Sequence, residues 1–394
     1  MLFSTNRYRT YDRRLYETLA SAFDLSVIWI NPPPSDEPVP REWKGWIRWW
    51  TVGDEPEMIT SRDIRRSAKL FQLAVREGRE CDLFVASTTG SWKSRVFYAA
   101  ARVAGVPVAV RTDTWRDNPS GGKRKARSVV HQLVTDYMER HASGVLVSGI
   151  KTTEYLVNRG VPRERISPFP YLHPDLAEQP LDPGLVARLR ELKQDRVAFL
   201  YLGRIMEQKG LVPLIRTFRS ILATGRDAVL FVVGAPITEE TGRGKVSVGY
   251  FEHAKQLASG EPRIVFFGQQ APPTIHNFYE VADVFVHPHV AKVDGYDVHE
   301  AWGNVITEAA CMRMPIVGTD RIPSCFDIID DGVNGYLLPA EAVESRLFDA
   351  LVPFVDRPEL IGQFGSAARR KFEQFADPAL TIETLQRVMS RSSP

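Results

Sequence analysis

Short apolar runs rich in Val, Ile and Phe recur along the chain, and each is followed by a longer segment with apolar residues at helical spacing. Runs of four to six apolar residues fit strands buried on both faces, and the alternation predicts βαβ units carrying parallel sheets. In the first half strands are predicted near 25–30, 82–86, 106–111 and 144–148. In the second they fall near 197–202, 228–233, 264–267, 283–286, 315–318 and 335–338. Between the halves Pro162, Pro168, Pro170, Pro174, Pro180 and Pro183 break up a stretch in which neither a continuous helix nor a central strand fits, so a linker is expected there. Beyond Pro358 the pattern is helical, with no further strand.

A chain of 394 residues exceeds what one hydrophobic core usually organises. The expected division is a domain over 1–172, a second over 173–372, and a terminal helix over 373–394 that can pack back on the first. A net charge of +2 with 25% charged residues gives no reason to expect a nucleic-acid partner. Cys81, Cys311 and Cys325 are odd in number and scattered, which argues against a disulfide framework or a cysteine zinc site and fits a cytoplasmic protein. The first residues lack the apolar core of a signal peptide, and no run of eighteen apolar residues occurs, so no membrane span is expected.

Candidate chemistry concentrates in the second half. In 300–319 Glu300 and Glu308 are separated by seven residues at the start of a predicted helix, ahead of a buried strand. The free amides of Gly303, Asn304 and Val305, with the helix dipole, suit a diphosphate, and glutamates fit beside it if they take hydroxyl donors such as those of sugar and ribose. Upstream, a strand ends at Gly203 and leads into a loop bearing Arg204 and Lys209. Two cations there can neutralise a departing nucleotide, which matters because no Asp-x-Asp motif is present to hold a divalent metal.

These elements, in this order, resemble glycosyltransferase family 4, the retaining enzymes of GT-B architecture with two Rossmann-like α/β domains facing each other across a cleft. Further likeness lies in 266–270, 279–288 and 330–339, so that it covers most of the second half. The resemblance implies that Arg204 and Lys209 bind the diphosphate of a UDP- or GDP-linked sugar, that Glu300 holds the sugar near the reacting carbon, and that Glu308 holds the ribose. Gly203 and Gly268 would line the same site, Gly268 near the base, and no metal or other cofactor would be required. The acceptor would be a glycan or a lipid-linked precursor of envelope, capsule or exopolysaccharide.

In the first half, where relatives often open with a glycine-rich loop, this chain has Thr5-Asn-Arg-Tyr-Arg, and Asn6 or Arg7 would make the acceptor or phosphate contacts. Asp113 follows a predicted strand where relatives often carry a His or Asp near the sugar, and is the candidate catalytic residue of this half, against a reading as a helix cap or turn. His287, His289 and His299, with Asp294 and Asp297, could suggest a metal site, although loop histidines are more often structural. Tryptophans and cations interleave in 41–50, and 123–127 is basic ahead of an apolar-periodic helix; the pair suits peripheral contact with the inner membrane leaflet, or alternatively internal packing with solvated charges. Two rival functions stand beside the transferase: a nucleotide-sugar epimerase on the same architecture, and a non-catalytic sugar-nucleotide-binding subunit of an assembly complex.

Overall fold

A computed structural model describes residues 1–5, 12–29, 40, 43, 47–51, 64–87, 92–116, 126–237 and 242–391. The chain forms two compact units, Met1–Pro174 together with Ala376–Pro394, and Asp175–Phe375.

The first unit begins β1 (Leu2–Thr5), α1 (Arg13–Ala22), β2 (Leu25–Trp29), β3 (Ile47–Thr51), α2 (Ile64–Gly78) and β4 (Phe84–Ser87). It continues through α3 (Trp92–Ala104), β5 (Val108–Thr112), α4 (Ala126–His141), β6 (Gly144–Val147), α5 (Ile150–Asn158) and β7 (Ile166–Pro168). Its described strands form one parallel sheet in the order β3-β2-β1-β4-β5-β6-β7. Leu2, Phe84, Val108, Val110 and Val145 are buried beneath the covering helices, the double-sided burial that parallel strands require.

The second unit runs α6 (Pro183–Lys193), β8 (Val197–Leu202), α7 (Leu211–Ala223), β9 (Ala228–Val233), α8 (Gly242–Ala258), β10 (Ile264–Gly268), α9 (Ile275–Val281) and β11 (Val284–His287). A hairpin of β12 (Lys292–Val293) and β13 (Tyr296–Asp297) follows, then α10 (Asn304–Cys311), β14 (Ile316–Thr319), α11 (Pro323–Ile328), β15 (Gly335–Leu338), α12 (Val343–Asp356) and α13 (Glu359–Phe375). Six of these strands form a second parallel sheet, β10-β9-β8-β11-β14-β15. A last helix, α14 (Pro378–Ser390), belongs to the first unit, where Val388 lies so close to Gly144 that a Cβ there would come within 2.8 Å of its methyl.

All ten strands expected from the sequence are present within two residues of their predicted bounds. Strands β1, β3, β7 and the small hairpin lie outside that expectation. β3 reads Ile-Arg-Trp-Trp-Thr, without an aliphatic run, and β7 ends in a proline that only an edge position tolerates. Both lie at sheet edges among the described residues. The proline-broken stretch holds β7 and then α6, whose start is set by Pro183 in the first turn and by Asp182 accepting from the Gly184 and Leu185 amides.

One ion pair ties the ends of the second unit together. Asp175, its first residue, receives two hydrogen bonds from Arg369 on α13, at 2.9 and 2.5 Å, and Arg369 also donates to the Cys311 carbonyl at 2.8 Å. Chiefly through Arg369, against the opposing effect of burial, the Asp175 carboxyl is lowered to about 2.

Candidate functional site

The order of the six-stranded sheet fixes where a ligand can be held in the second unit. From β8 the chain winds outward through β9 and β10, then returns to β11 and winds the other way through β14 and β15. The carboxyl ends of β8 and β11 therefore flank the topological switch point, where diverging loops leave a crevice. The segment 203–210 leaves β8 there and 288–303 leaves β11.

Two glycines permit close approaches around this point. Gly210 has φ +72° and its absent Cβ would lie 1.8 Å from the Pro288 carbonyl oxygen, so any side chain would collide with backbone. Gly303, at φ +98°, precedes α10, and a Cβ there would lie 2.4 Å from Ile322.

Within this framework Lys209 and Glu300 come together: the buried ammonium donates to Glu300 Oε1. His289 Nε2 lies 3.5 Å from the same oxygen, while its Nδ1 faces the Val290 carbonyl at 3.0 Å. Burial alone would raise the Glu300 carboxyl, but His289 and Lys209 reverse this and hold it well below the ordinary range. Burial, with Arg204 adding repulsion, lowers the Lys209 ammonium against the opposing pull of Glu300. Arg204 is exposed and has no hydrogen bond or ion pair to a described residue, so its donors remain open.

The helix α10 starts where the sequence suggests, with Gly303 as N-cap and no side chain satisfying the first amides. Among the described residues no partner takes the Gly303, Asn304 or Val305 N–H groups, and the Asn304 amide oxygen is buried without a hydrogen-bond partner. Ser324 Oγ donates to the Gly303 carbonyl at 3.0 Å and fixes the turn from behind. Glu308 lies one turn further in, where Tyr279 Oη donates to its Oε2 at 2.9 Å. Burial raises the Glu308 carboxyl, and the tyrosine partly offsets this. Gly268 closes β10 and accepts from the Gly234 amide at 2.8 Å, while Gly203 donates to the Val233 carbonyl at 3.0 Å.

Arg204, Lys209, Glu300, Gly303, Asn304, Val305 and Glu308 therefore belong to loops and a helix start in one unit. Asp113 lies in the other unit, beyond the end of β5, where it accepts from Tyr171 Oη at 3.1 Å. Asn6 and Arg7 lie outside the described residues, as do 41–42, 44–46 and 123–125 of the two basic segments. Trp43 is described: it is fully buried, meets Tyr16 edge-on at 5.7 Å and donates to Glu17 at 3.4 Å, so it packs internally. Among the described residues no helix is long and apolar enough to cross a membrane.

Several site residues are given no role by the sequence. Tyr279, which opens the 279–288 stretch of family likeness, fixes Glu308. Buried Arg321 pairs with Glu341 and lies 3.7 Å from Asp297, pinning the hairpin that follows β11. The histidines considered for a metal separate in role. His289 addresses Glu300, whereas His287 stacks between Tyr201 and Phe285 at centroid distances of 5.8 and 6.0 Å. Among the described residues no three His, Cys, Asp or Glu side chains are placed to share a metal ion. Burial, then Lys209, lowers His287 far below the usual histidine value, so it stays neutral.

Comparison with known proteins agrees with this layout. Residues 188–371 match the family described as glycosyl transferases group 1, and residues 8–171 match the glycosyl transferase 4-like domain. The lipopolysaccharide 1,2-N-acetylglucosaminetransferase of Salmonella typhimurium is 26% identical over 42% of this chain, and the match spans only 40% of that enzyme. The alpha-D-kanosaminyltransferase of Streptomyces kanamyceticus is 24% identical over 82% of this chain and 78% of its own. The crystal structure of Anabaena HepE in complex with UDP superposes with a TM-score of 0.72 at 18% identity, covering 99% of each chain. With two parallel α/β units and both halves matched, the chain belongs to the family 4 glycosyltransferases and has the GT-B fold.

Proposed function

We propose that this glycosyltransferase is retaining and metal-independent, moving a sugar from a UDP- or GDP-linked donor to a glycan or lipid-linked acceptor in cell-envelope or capsule synthesis. The observation that carries the reading is the convergence of Lys209 and Glu300 with open Arg204 at the switch point, beside the uncapped start of α10. The first amides of α10 and the two cations offer donors to a diphosphate, and the low-dielectric setting of Lys209 strengthens its pull on charge developing as the nucleotide leaves. Glu300, held ionised, accepts from sugar hydroxyls, and Glu308, steadied by Tyr279, accepts from ribose hydroxyls. With the leaving phosphate taking the proton of the incoming hydroxyl on the same face, the side chains position and neutralise rather than form bonds. The solved UDP complex of Anabaena HepE supports a nucleotide ligand for this architecture. Three free cysteines and the lack of a membrane-crossing helix among the described residues are compatible with a place on the cytoplasmic side.

The test is transfer from a panel of UDP- and GDP-sugars, with and without EDTA, followed by NMR of the anomeric proton in the product. Unchanged anomeric configuration and EDTA-resistant turnover support the proposal. Inverted product or strict metal dependence contradicts it, and an epimerised donor formed without acceptor identifies the rival epimerase.

A further inference from the structure

A second cluster of charge lies in the first unit, at the carboxyl edge of its sheet, and nothing above uses it. Arg111 is the penultimate residue of β5, and its guanidinium carbon sits 4.5 Å from the centroid of Tyr171 and 5.1 Å from that of Phe169. Stacking on two aromatic faces orients the guanidinium without consuming its N–H donors. Those donors are left open: Arg111 Nη2 is buried and has no acceptor among the described residues. A buried donor without a protein acceptor is costly until water or a ligand completes it.

The surroundings decide the sign of that ligand. Arg14 donates to the His173 carbonyl at 3.1 Å, so a second guanidinium lies on the side of the ring stack formed by Tyr171 and His173. His173 is buried and kept neutral: burial, then Arg111 and Arg14, lower it to about 4. Asp113 is engaged by Tyr171 Oη and makes no ion pair with Arg111. Among the described residues, Arg111 and Arg14 both act on His173, and no carboxylate there pairs with Arg111.

We infer that Arg111, braced by Phe169 and Tyr171, is an oxyanion subsite that selects acceptors bearing a phosphate or carboxylate group. The fork of a guanidinium takes two oxygens of such a group at once, which fixes orientation as well as position. Tyr171 couples this subsite to Asp113 through its hydroxyl, so an acceptor anchored at Arg111 is presented beside the carboxylate. The inference rests on the transferase reading only in calling the ligand an acceptor; the subsite itself stands on the first unit alone.

The experiment is titration of inorganic phosphate at constant ionic strength, followed by ³¹P line broadening, on the full chain and on Arg111→Lys, Arg111→Met and Arg204→Ala. Acetate in parallel separates a carboxylate-bearing acceptor from a phosphorylated one. Arg111→Lys keeps the charge and loses the fork, and it is expected to weaken the bound oxyanion about tenfold or more, with Arg111→Met abolishing it and Arg204→Ala leaving it in place. Circular dichroism confirms that each variant is folded, and the Arg111→Lys variant carries the result should the methionine variant unfold. Equal binding by Arg111→Lys, loss only in Arg204→Ala, or no binding of either anion by the parent protein overturns the inference. UDP and GDP titrated in the same series separate the two readings. Failure of both nucleotides to bind, with Arg111-dependent phosphate binding intact, removes the donor assignment and leaves the subsite standing, and the reverse outcome removes the subsite alone.

Discussion

In the Asp175–Phe375 unit Lys209 and Arg369 each meet a carboxylate, whereas in the Met1–Pro174 unit the Nη2 of Arg111 is buried with no acceptor among the described residues. Lys209 has Glu300, and Arg369 has Asp175, each pair drawn from loops or helices that the sheet brings together. Arg111 has only aromatic faces beneath it. A matched pair holds its geometry before any ligand arrives, and an orphan is completed by one. Under the proposed function, the difference would separate a rigid constellation for the nucleotide from an open grip for the acceptor.

If matched pairs carry the architecture of the second unit, breaking one should be the costliest change. Asp175→Ala leaves the Arg369 guanidinium, about 15% exposed, with only the half-exposed Glu373 as a carboxylate partner among the described residues. It is expected to lower unfolding free energy by roughly 3–5 kcal/mol, read by chemical denaturation. A loss within experimental error of zero would show the pair to be ornamental.

The first unit should instead show, through pH, the cost of a buried histidine, to which Arg111 and Arg14 add. Because folding depresses His173 from 6.5 to about 4, the unfolded chain binds the extra proton between those values. Its contribution to stability is complete above about pH 6.5 and falls as the pH drops, by about 3 kcal/mol at pH 4. His173→Gln should flatten that segment of the stability curve, and an unchanged curve would place the titration elsewhere.

Lys209→Met tests the matched pair in its chemical role. Turnover should fall roughly 10²-fold, on the scale of losing one preorganised charge donor, with a smaller change in KM. The smallest effect is expected at Tyr279→Phe, which removes one hydrogen bond from Glu308 and should weaken nucleotide binding about fivefold.

How much of this is legible in the sequence follows the same division. Strands buried on both faces, such as Val197–Leu202 and Ala228–Val233, announce themselves as unbroken apolar runs. Ile47–Thr51 and Ile166–Pro168, at the edges of the first sheet, do not, since they satisfy one neighbour only and tolerate Arg, Trp or Pro, although the edge strands Ile264–Gly268 and Gly335–Leu338 keep their apolar runs and the short central Leu2–Thr5 is missed. The convergence of Lys209 with Glu300 is implied only by family resemblance, because ninety-one positions separate them and only the switch point brings them together. Tyr279, His289 and Arg321 act through spatial contacts that no local spacing encodes. Arg111 and Tyr171 are sixty residues apart and carry no motif at all.

The central claim is that a nucleoside diphosphate is held in the second unit by the cations after β8. Calorimetric titration of UDP and GDP into the parent protein, Arg204→Ala and Arg111→Lys tests it most directly. Binding of one nucleotide that weakens tenfold or more in Arg204→Ala and is unchanged in Arg111→Lys is the result expected, from the strength of charge-assisted hydrogen bonds. Nucleotide affinity that survives Arg204→Ala and collapses in Arg111→Lys would contradict it.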